Sequence, residues 1–212
     1  MSSLLRSRLH GKGVYAITDG PRHDLIATVE AALAGGARLL QYRDKTNDTD
    51  RRRREADELS RICARYEVPF IVNDDVELAK LTGGGVHLGR EDMSIAQARA
   101  ILGPGAIIGV SCYGSLERAR ELAPQGVDYL AFGAMYPSST KPHAPVAAHD
   151  VVTQVKALGL PVVAIGGLTP DNAGVVIDAG ADYIAVVSAI FAAPDIQSAT
   201  RRFADLFTGT TR

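Results

Sequence analysis

Cationic and amide side chains gather at the end of one short apolar run in this sequence. Gln41, Arg43 and Lys45 occur at every second position there, and they share one face if the run is a strand. Arginine can grip two phosphate oxygens and lysine adds a point charge, so this face suits a diphosphate. The alternative interpretation is a structural ion pair with Asp44 or another nearby carboxylate.

Acidic residues follow the next two apolar runs. Asn73, Asp74 and Asp75 end the third run, and Asp92 follows the fourth. Carboxylate oxygens beside a phosphate are what Mg²⁺ requires, with water completing its shell. A carboxylate between a strand and a helix also caps helices often. We favour the cap for Asp75, whereas metal ligand and helix cap stay equal alternatives for Asp74 and for Asp92.

Ser111 ends the fifth run. A serine nucleophile requires a histidine base and an orienting acid, and no G-x-S-x-G elbow surrounds this residue. We therefore expect Ser111 to supply a hydrogen-bonding hydroxyl. His87, inside the fourth run, is expected to be a barrel-interior histidine with satisfied hydrogen bonds. Cys112 is expected to pack rather than to react.

The stretch 134–148 is the longest one without apolar periodicity. Its length and polar content predict a lid over a binding site. It contains a group of hydroxyl residues followed by a cation, which can cradle a phosphate, although a plain turn has a similar composition. These residues are Ser138, Ser139, Thr140 and Lys141.

A second phosphate site is indicated after the seventh and eighth runs. Gly167 follows the seventh run, and Val187 and Ser188 close the eighth. Glycine lets a phosphate approach backbone N–H groups, and these two loops are the frequent phosphate site of (β/α)8 barrels. Two phosphate sites and a metal in one place indicate transfer between two phosphorylated substrates.

Short β-rich apolar runs alternate with amphipathic segments along the whole chain. Strands are predicted at 14–18, 39–44, 69–74, 85–89, 107–111, 129–133, 161–167 and 183–188. Helices are predicted at 24–34, 48–66, 75–82, 94–102, 115–122, 149–158, 170–179 and 195–207. Strict alternation implies a parallel sheet, and eight units indicate a closed (β/α)8 barrel, with a doubly wound open sheet as the alternative.

The barrel prediction places all the polar candidates on one face, because the carboxyl ends of its strands meet at one mouth. No low-complexity linker divides the sequence. We therefore expect a single α/β domain over residues 1–212, with 1–12 as an N-terminal extension.

Composition bears on the expected partners and compartment of the protein. The chain has 23 Lys and Arg against 24 Asp and Glu, so bulk charge indicates neither a nucleic-acid nor a membrane partner. Two cysteines far apart match no metal or redox spacing and fit a reducing compartment. With neither a signal peptide nor a membrane-length apolar run, we expect a cytoplasmic protein. The sequence leaves open whether it forms a homo-oligomer.

Eight segments taken together resemble the thiamine-phosphate synthase family. They are YAITD at 15–19, QYRDK at 41–45, NDD at 73–75, GVHLGRED at 85–92, GVS at 109–111, STKP at 139–142, IGGL at 165–168 and VSA at 187–189. They occur in order over about residues 13–207, and as a set they are highly specific. The resemblance implies a (β/α)8 barrel and a transferase of thiamine biosynthesis.

The resemblance also implies site residues. Mg²⁺ would be held by Asp74 and Asp92. The pyrimidine diphosphate would be bound by Gln41, Arg43, Lys45, Asn73, Ser111 and Lys141. The thiazole phosphate would be bound by Ser138, Ser139, Thr140, Gly167, Val187 and Ser188. Tyr42 and Asp44 complete the expected substrate-binding segment. The family often has Leu and Glu at these two positions, and their side chains should point away from the Gln41 face.

The implied reaction displaces diphosphate from a pyrimidine methylene by the thiazole nitrogen, through a pyrimidine carbocation. Arg43, Lys45 and Lys141 would stabilise charge on the departing diphosphate, with Ser111 beside them. A related thiazole tautomerase would instead need an acid–base residue, for which His143 is the candidate. A non-catalytic barrel that binds phosphorylated ligands is the third alternative.

Overall fold

The computed structural model describes residues 9, 11–137, 147 and 150–209. All eight predicted strands are present, and they pair in parallel and in chain order into a closed barrel. The strands are β1 (Gly13–Ile17), β2 (Ala37–Tyr42), β3 (Phe70–Asn73), β4 (Gly85–Leu88), β5 (Ile108–Tyr113), β6 (Tyr129–Phe132), β7 (Val162–Ile165) and β8 (Tyr183–Val186). The barrel closes where β1 pairs with β8, which rules out the open-sheet alternative.

Helices follow the strands at the predicted places. Within the described ranges they are α1 (Leu25–Ala34), α2 (Thr49–Arg65), α3 (Val76–Thr82), α4 (Ile95–Leu102), α5 (Leu116–Leu122), α6 (Asp150–Val155), α7 (Ala173–Asp178), α8 (Ser188–Phe191) and α9 (Ile196–Asp205). Helix α8 was not predicted, because four residues are too few to show a helical period. None of these helices is long and apolar enough to cross a lipid bilayer.

The side-chain alternation of the strands creates two apolar cores. Outward-facing strand residues such as Val14 and Leu40 pack with the helices in one large buried cluster. Inward-facing residues such as Tyr15, Leu39 and Ile71 fill the barrel in a second cluster. Large side chains fill the interior, which is therefore a packed core rather than a pore. Ligands can then bind only at the mouth of the barrel.

Two buried aspartates fix strand register at the end of the barrel opposite the mouth. Asp128, just before β6, accepts hydrogen bonds from the backbone N–H of Ile108 at 2.8 Å and from Arg99 at 2.9 Å. Asp182, just before β8, accepts from the N–H of Val162 at 2.9 Å in the same way. These bonds tie neighbouring strands together, and the carboxyl ends remain available to carry functional side chains.

Candidate active site

The end of β2 presents Gln41 and Arg43 at the mouth. Gln41 is 3% exposed, and its side-chain amide donates to the Tyr15 hydroxyl at 2.7 Å. The Thr18 hydroxyl accepts from the backbone N–H of Arg43 at 2.8 Å and donates to the Arg43 carbonyl at 3.1 Å. These bonds fix the backbone that carries the partly buried Arg43. Among the described residues its guanidinium has no ion-pair partner, so it is available to an anion.

Tyr42 and Asp44 lie on the opposite face, between β2 and α2. The Tyr42 hydroxyl donates to Glu55 at 2.6 Å, and Asp44 forms an ion pair with Arg51 at 2.7 Å. Burial alone would raise the pKa of Asp44, but the bonds from Arg51 and from the Thr46 N–H outweigh it and lower this pKa. As expected, the two side chains point away from the Gln41 face, and they hold α2 against the barrel. The assignment of Tyr42 and Asp44 to the substrate-binding segment stays a prediction.

Lys45, Asp74 and Asp92 form an ionic cluster at the ends of β2, β3 and β4. The Lys45 ammonium forms an ion pair with Asp74. Asp92 accepts a hydrogen bond from the N–H of Gly89 at 2.6 Å, and it lies within hydrogen-bonding reach of the Asp74 carboxylate. Burial and then the neighbouring charge of Asp74 raise the pKa of Asp92, although the Gly89 bond acts in the other direction.

The backbone of Asp74 directs its side chain into this cluster. Asp74 has φ +63°, the left-handed conformation that non-glycine residues rarely adopt. Its N–H donates to the His87 carbonyl at 2.9 Å, which continues the β3–β4 pairing past the end of the strand. The next residue, Asp75, points away and caps α3 by accepting from the Leu78 N–H at 3.0 Å, as expected. Asp74 is therefore not the helix cap.

The residues present fit a magnesium ion. Two carboxylates from adjacent strands approach each other against their mutual repulsion, and a divalent cation would relieve that repulsion. Within the described part of the chain no group of three or more His, Cys, Asp or Glu side chains is arranged to hold a metal. Proteins often hold Mg²⁺ with one or two carboxylates, and water and substrate phosphate complete the coordination shell.

Ser111 has a histidine partner that the sequence did not reveal. Its hydroxyl lies 2.9 Å from Nε2 of His87, and Nδ1 of His87 lies 2.9 Å from the Tyr129 hydroxyl. A nucleophilic serine needs a carboxylate behind the histidine to stabilise the imidazolium, and a tyrosine hydroxyl carries no such charge. The arrangement supports the hydrogen-bonding role expected for Ser111. Cys112 is buried as expected, and burial raises the pKa of its thiol to about 12.

The residues expected to form the second phosphate site lie at the ends of β7 and β8. Gly167 has φ +63°, and a Cβ there would lie 2.5 Å from the Pro137 carbonyl, so only glycine fits. Val187 packs on the interior core and directly precedes α8, whose first residue is Ser188. Arg22 donates to the carbonyl of Phe191 at the other end of α8 at 2.8 Å. The structure thus gives Gly167 a packing role beside any contact with phosphate.

Four expected binding residues lie outside the described part of the chain, and so does His143. The four are Ser138, Ser139, Thr140 and Lys141. Their described flanks are attached at the mouth. The N–H of Tyr136 donates to the Gly166 carbonyl at 3.0 Å, and the N–H of Ala147 donates to the Ala134 carbonyl at 2.7 Å. These bonds place the described residues on either side of the segment close to β7.

Sequence reasoning missed two interior tyrosines, Tyr15 and Tyr129. Their hydroxyls lie 2.9 Å apart, and they link Gln41 on one side to His87 on the other. One pattern could have indicated this. Tyr15, His87 and Tyr129 occupy inward positions of their strands, where most other residues are apolar. A polar atom buried there needs a partner, and only another inward position can supply it.

Comparison with known proteins shows the family. The family model described as thiamine monophosphate synthase matches residues 14–190. The thiamine-phosphate synthase of Thiobacillus denitrificans is 53% identical over 201 residues, which cover 92% of this chain and 94% of that protein. The solved thiamine phosphate pyrophosphorylase of Pyrococcus furiosus covers 98% of this chain and 100% of its own, with TM-score 0.86 and 35% identity.

A second relative carries the same name. The thiamine-phosphate synthase of Acidithiobacillus ferrooxidans is 50% identical over 203 residues, which cover 92% of this chain and 94% of that protein. The resemblance inferred from eight short segments is therefore confirmed over most of the chain. The chain belongs to the thiamine monophosphate synthase family.

Proposed function

We propose that this chain is a thiamine-phosphate synthase, a transferase that joins a pyrimidine diphosphate to a thiazole phosphate and releases diphosphate. One observation carries the proposal in addition to family membership. Arg43, Lys45 and the Asp74–Asp92 carboxylate pair converge at the same mouth, in a barrel whose interior is otherwise packed. A displacement with diphosphate as leaving group needs this kind of charge complement.

Asp74 and Asp92 would hold Mg²⁺ in this proposal. The ion, when bound, supplies positive charge to the diphosphate oxygens. The ion pair between Lys45 and Asp74 supports this proposal, because it places positive charge beside one of the two carboxylates. Lys45 is 59% exposed on its side chain, so it can turn from Asp74 to a phosphate oxygen without leaving a buried cavity.

The chain's own residues bind and orient the pyrimidine diphosphate. Arg43 offers a planar guanidinium that can bond two diphosphate oxygens, and its backbone is fixed by Thr18. Asn73 is the last residue of β3 and lies in register with His87 of β4. Its side-chain amide can donate to and accept from the pyrimidine. Ser111 adds a hydroxyl from β5. No side-chain nucleophile is required, since the thiazole nitrogen attacks and diphosphate departs.

Gly167, Val187 and Ser188 would hold the thiazole phosphate on the opposite side of the mouth. The backbone N–H groups after β7 and at the start of α8 are donors of the type that phosphate accepts. Separate sites for the two phosphorylated groups let the thiazole nitrogen and the pyrimidine methylene meet between them. Holding the two in line lowers the barrier by removing translational freedom.

A turnover assay tests this function. The purified chain is incubated with the pyrimidine diphosphate, the thiazole phosphate and Mg²⁺, and thiamine phosphate and diphosphate are measured by liquid chromatography and mass spectrometry. We expect both products in equal amounts. Isomerised thiazole without diphosphate release would instead indicate a tautomerase. Binding of both compounds without any product would indicate a non-catalytic barrel.

The two-site arrangement predicts that a substitution in one site changes KM for one substrate and not for the other. Arg43→Ala is expected to raise KM for the pyrimidine diphosphate about tenfold, because a charge-assisted bond is lost, and to leave KM for the thiazole phosphate nearly unchanged. Ser188→Ala is expected to do the reverse, with a rise of roughly threefold to tenfold. Steady-state kinetics with each substrate varied in turn measures both. Equal effects of either variant on both KM values would contradict two separate sites.

A further inference from the structure

Five polar side chains form a continuous hydrogen-bonded line across the barrel interior. The amide nitrogen of Gln41 lies 2.7 Å from the Tyr15 hydroxyl, which lies 2.9 Å from the Tyr129 hydroxyl. His87 joins Tyr129 through Nδ1 and Ser111 through Nε2, each at 2.9 Å. The two ends of the line, Gln41 and Ser111, are expected substrate-binding residues. The three groups between them have no role in the proposed reaction so far.

The packing of the barrel holds this line rigidly. The Tyr15 and Tyr129 rings meet edge to face with centroids 5.9 Å apart, and the His87 ring stacks on Tyr129 at 5.7 Å. Gly109 makes room for the Tyr129 ring, since a Cβ there would lie only 1.8 Å from it. Both tyrosines are almost fully buried, at 1% and 0% exposure. Side chains confined in this way cannot easily exchange their partners for water.

The two tyrosines give the line a direction. Burial raises the pKa of Tyr15 and of Tyr129 well above the usual range, so both keep their hydroxyl protons. The nitrogen of a side-chain amide only donates, so Tyr15 accepts from Gln41. A buried hydroxyl proton without an acceptor is costly, and the oxygen of Tyr129 is the described acceptor within reach of Tyr15. Tyr15 therefore donates to Tyr129.

The same reasoning extends to the other end of the line. Tyr129 accepts from Tyr15, so its own proton goes to Nδ1 of His87. A neutral imidazole that accepts at Nδ1 carries its proton on Nε2, and that N–H donates to the Ser111 oxygen. With the opposite direction, Tyr15 would accept from both Gln41 and Tyr129, and its proton would have no described acceptor.

We propose that this one-way line makes the Ser111 hydroxyl a hydrogen-bond donor toward the mouth, with Tyr15, Tyr129 and His87 as positioning residues. The serine oxygen is occupied by the N–H of His87, so its own proton is free to point at the substrate. The consequence for rate rests on the proposed function. A donor held in place strengthens its bond as negative charge develops on the departing diphosphate, without reorganisation at that moment.

The tautomer of His87 tests the direction without any substrate. In the ¹⁵N-labelled full chain, long-range proton–nitrogen correlations distinguish an imidazole protonated on Nε2 from one protonated on Nδ1. The His87 signals are identified by their absence from His87→Gln. The exposed His23, removed in His23→Gln, serves as the assignment control. We expect the Nε2–H form. An Nδ1–H form or an imidazolium at neutral pH would overturn the proposal, whatever the chain catalyses.

A double-mutant cycle tests the effect on catalysis. Tyr129→Phe keeps the ring but removes the donor to Nδ1, so His87 can change tautomer and take the Ser111 proton. We expect kcat to fall about tenfold, with KM for the pyrimidine diphosphate within about twofold of the parent value. Ser111→Ala should lower kcat by a similar factor. Since both changes remove the same donor, the double variant should be no slower than Ser111→Ala.

Controls separate this outcome from simple loss of structure. Tyr183→Phe removes a hydroxyl from another buried interior tyrosine, one that does not lie on the line, and should leave kcat unchanged. If the fold-losses in kcat of Tyr129→Phe and Ser111→Ala multiply in the double variant, the two changes act independently and the proposal is overturned. If Tyr129→Phe does not fold, the tautomer of His87 in the parent chain still tests the direction of the line. An inactive parent with the Nε2–H tautomer would contradict the proposed function but not the direction of the line.

Discussion

Replacing Asp92 with asparagine is expected to lower kcat/KM by about 100- to 1,000-fold, because it removes one of the two carboxylates that we propose hold Mg²⁺ opposite the diphosphate. The substitution is nearly isosteric. The amide oxygen can still accept from the Gly89 N–H, a bond that is 2.6 Å long in the parent. The loss would therefore report the charge rather than the shape of the loop. Turnover measured over a range of Mg²⁺ concentrations checks it.

Asp75→Asn is the matched control for this experiment. Asp75 follows Asp74 directly, but it caps α3 and forms an ion pair with Arg52 at 2.9 Å, away from the mouth. Its substitution should change thermal stability slightly and leave the Mg²⁺ dependence unaltered. Far-UV circular dichroism should be native-like for both variants. Near-normal turnover of Asp92→Asn at limiting Mg²⁺ would show that this carboxylate does not hold the metal.

Lys141→Ala is expected to raise the activation free energy by about 2–4 kcal/mol, which lowers kcat roughly 30- to 1,000-fold. KM for the pyrimidine diphosphate should change much less. Lys141 lies outside the described residues, whereas Pro137, on the same segment, is described. Four positions separate it from Pro137, whose carbonyl lies against Gly167 at the mouth. An extended chain of that length spans at most about 14 Å, so the mouth is within reach of Lys141.

The expected split between kcat and KM follows from the role of this charge. Positive charge that meets the diphosphate as it departs stabilises the transition state more than the bound substrate. Lys141→Arg keeps the charge and should recover much of the rate. Lys80→Ala, which removes an exposed lysine of α3, is the control and should have no effect. Unchanged kcat in Lys141→Ala would show that this lysine is only a surface residue of the loop.

The sequence alone predicted the strands and most of the helices, and it predicted that the candidate site residues follow the carboxyl ends of the strands. Alternation with period two correctly placed Gln41 and Tyr42 on opposite faces of β2, because that periodicity is a local property of a strand. Strict alternation of strands and helices predicted the parallel order. The short helix Ser188–Phe191 was not predicted, because four residues are too few to show a helical period.

The tertiary structure decided which of these side chains meet. Closure of the barrel through β1 and β8, the approach of Asp74 to Asp92, and the line from Gln41 to Ser111 all join residues from different strands. Such contacts depend on the register between strands and on how large side chains share the interior. A one-residue shift in register would turn every inward side chain outward, so the apolar alternation excludes it. The alternation does not specify which inward residues of neighbouring strands lie side by side.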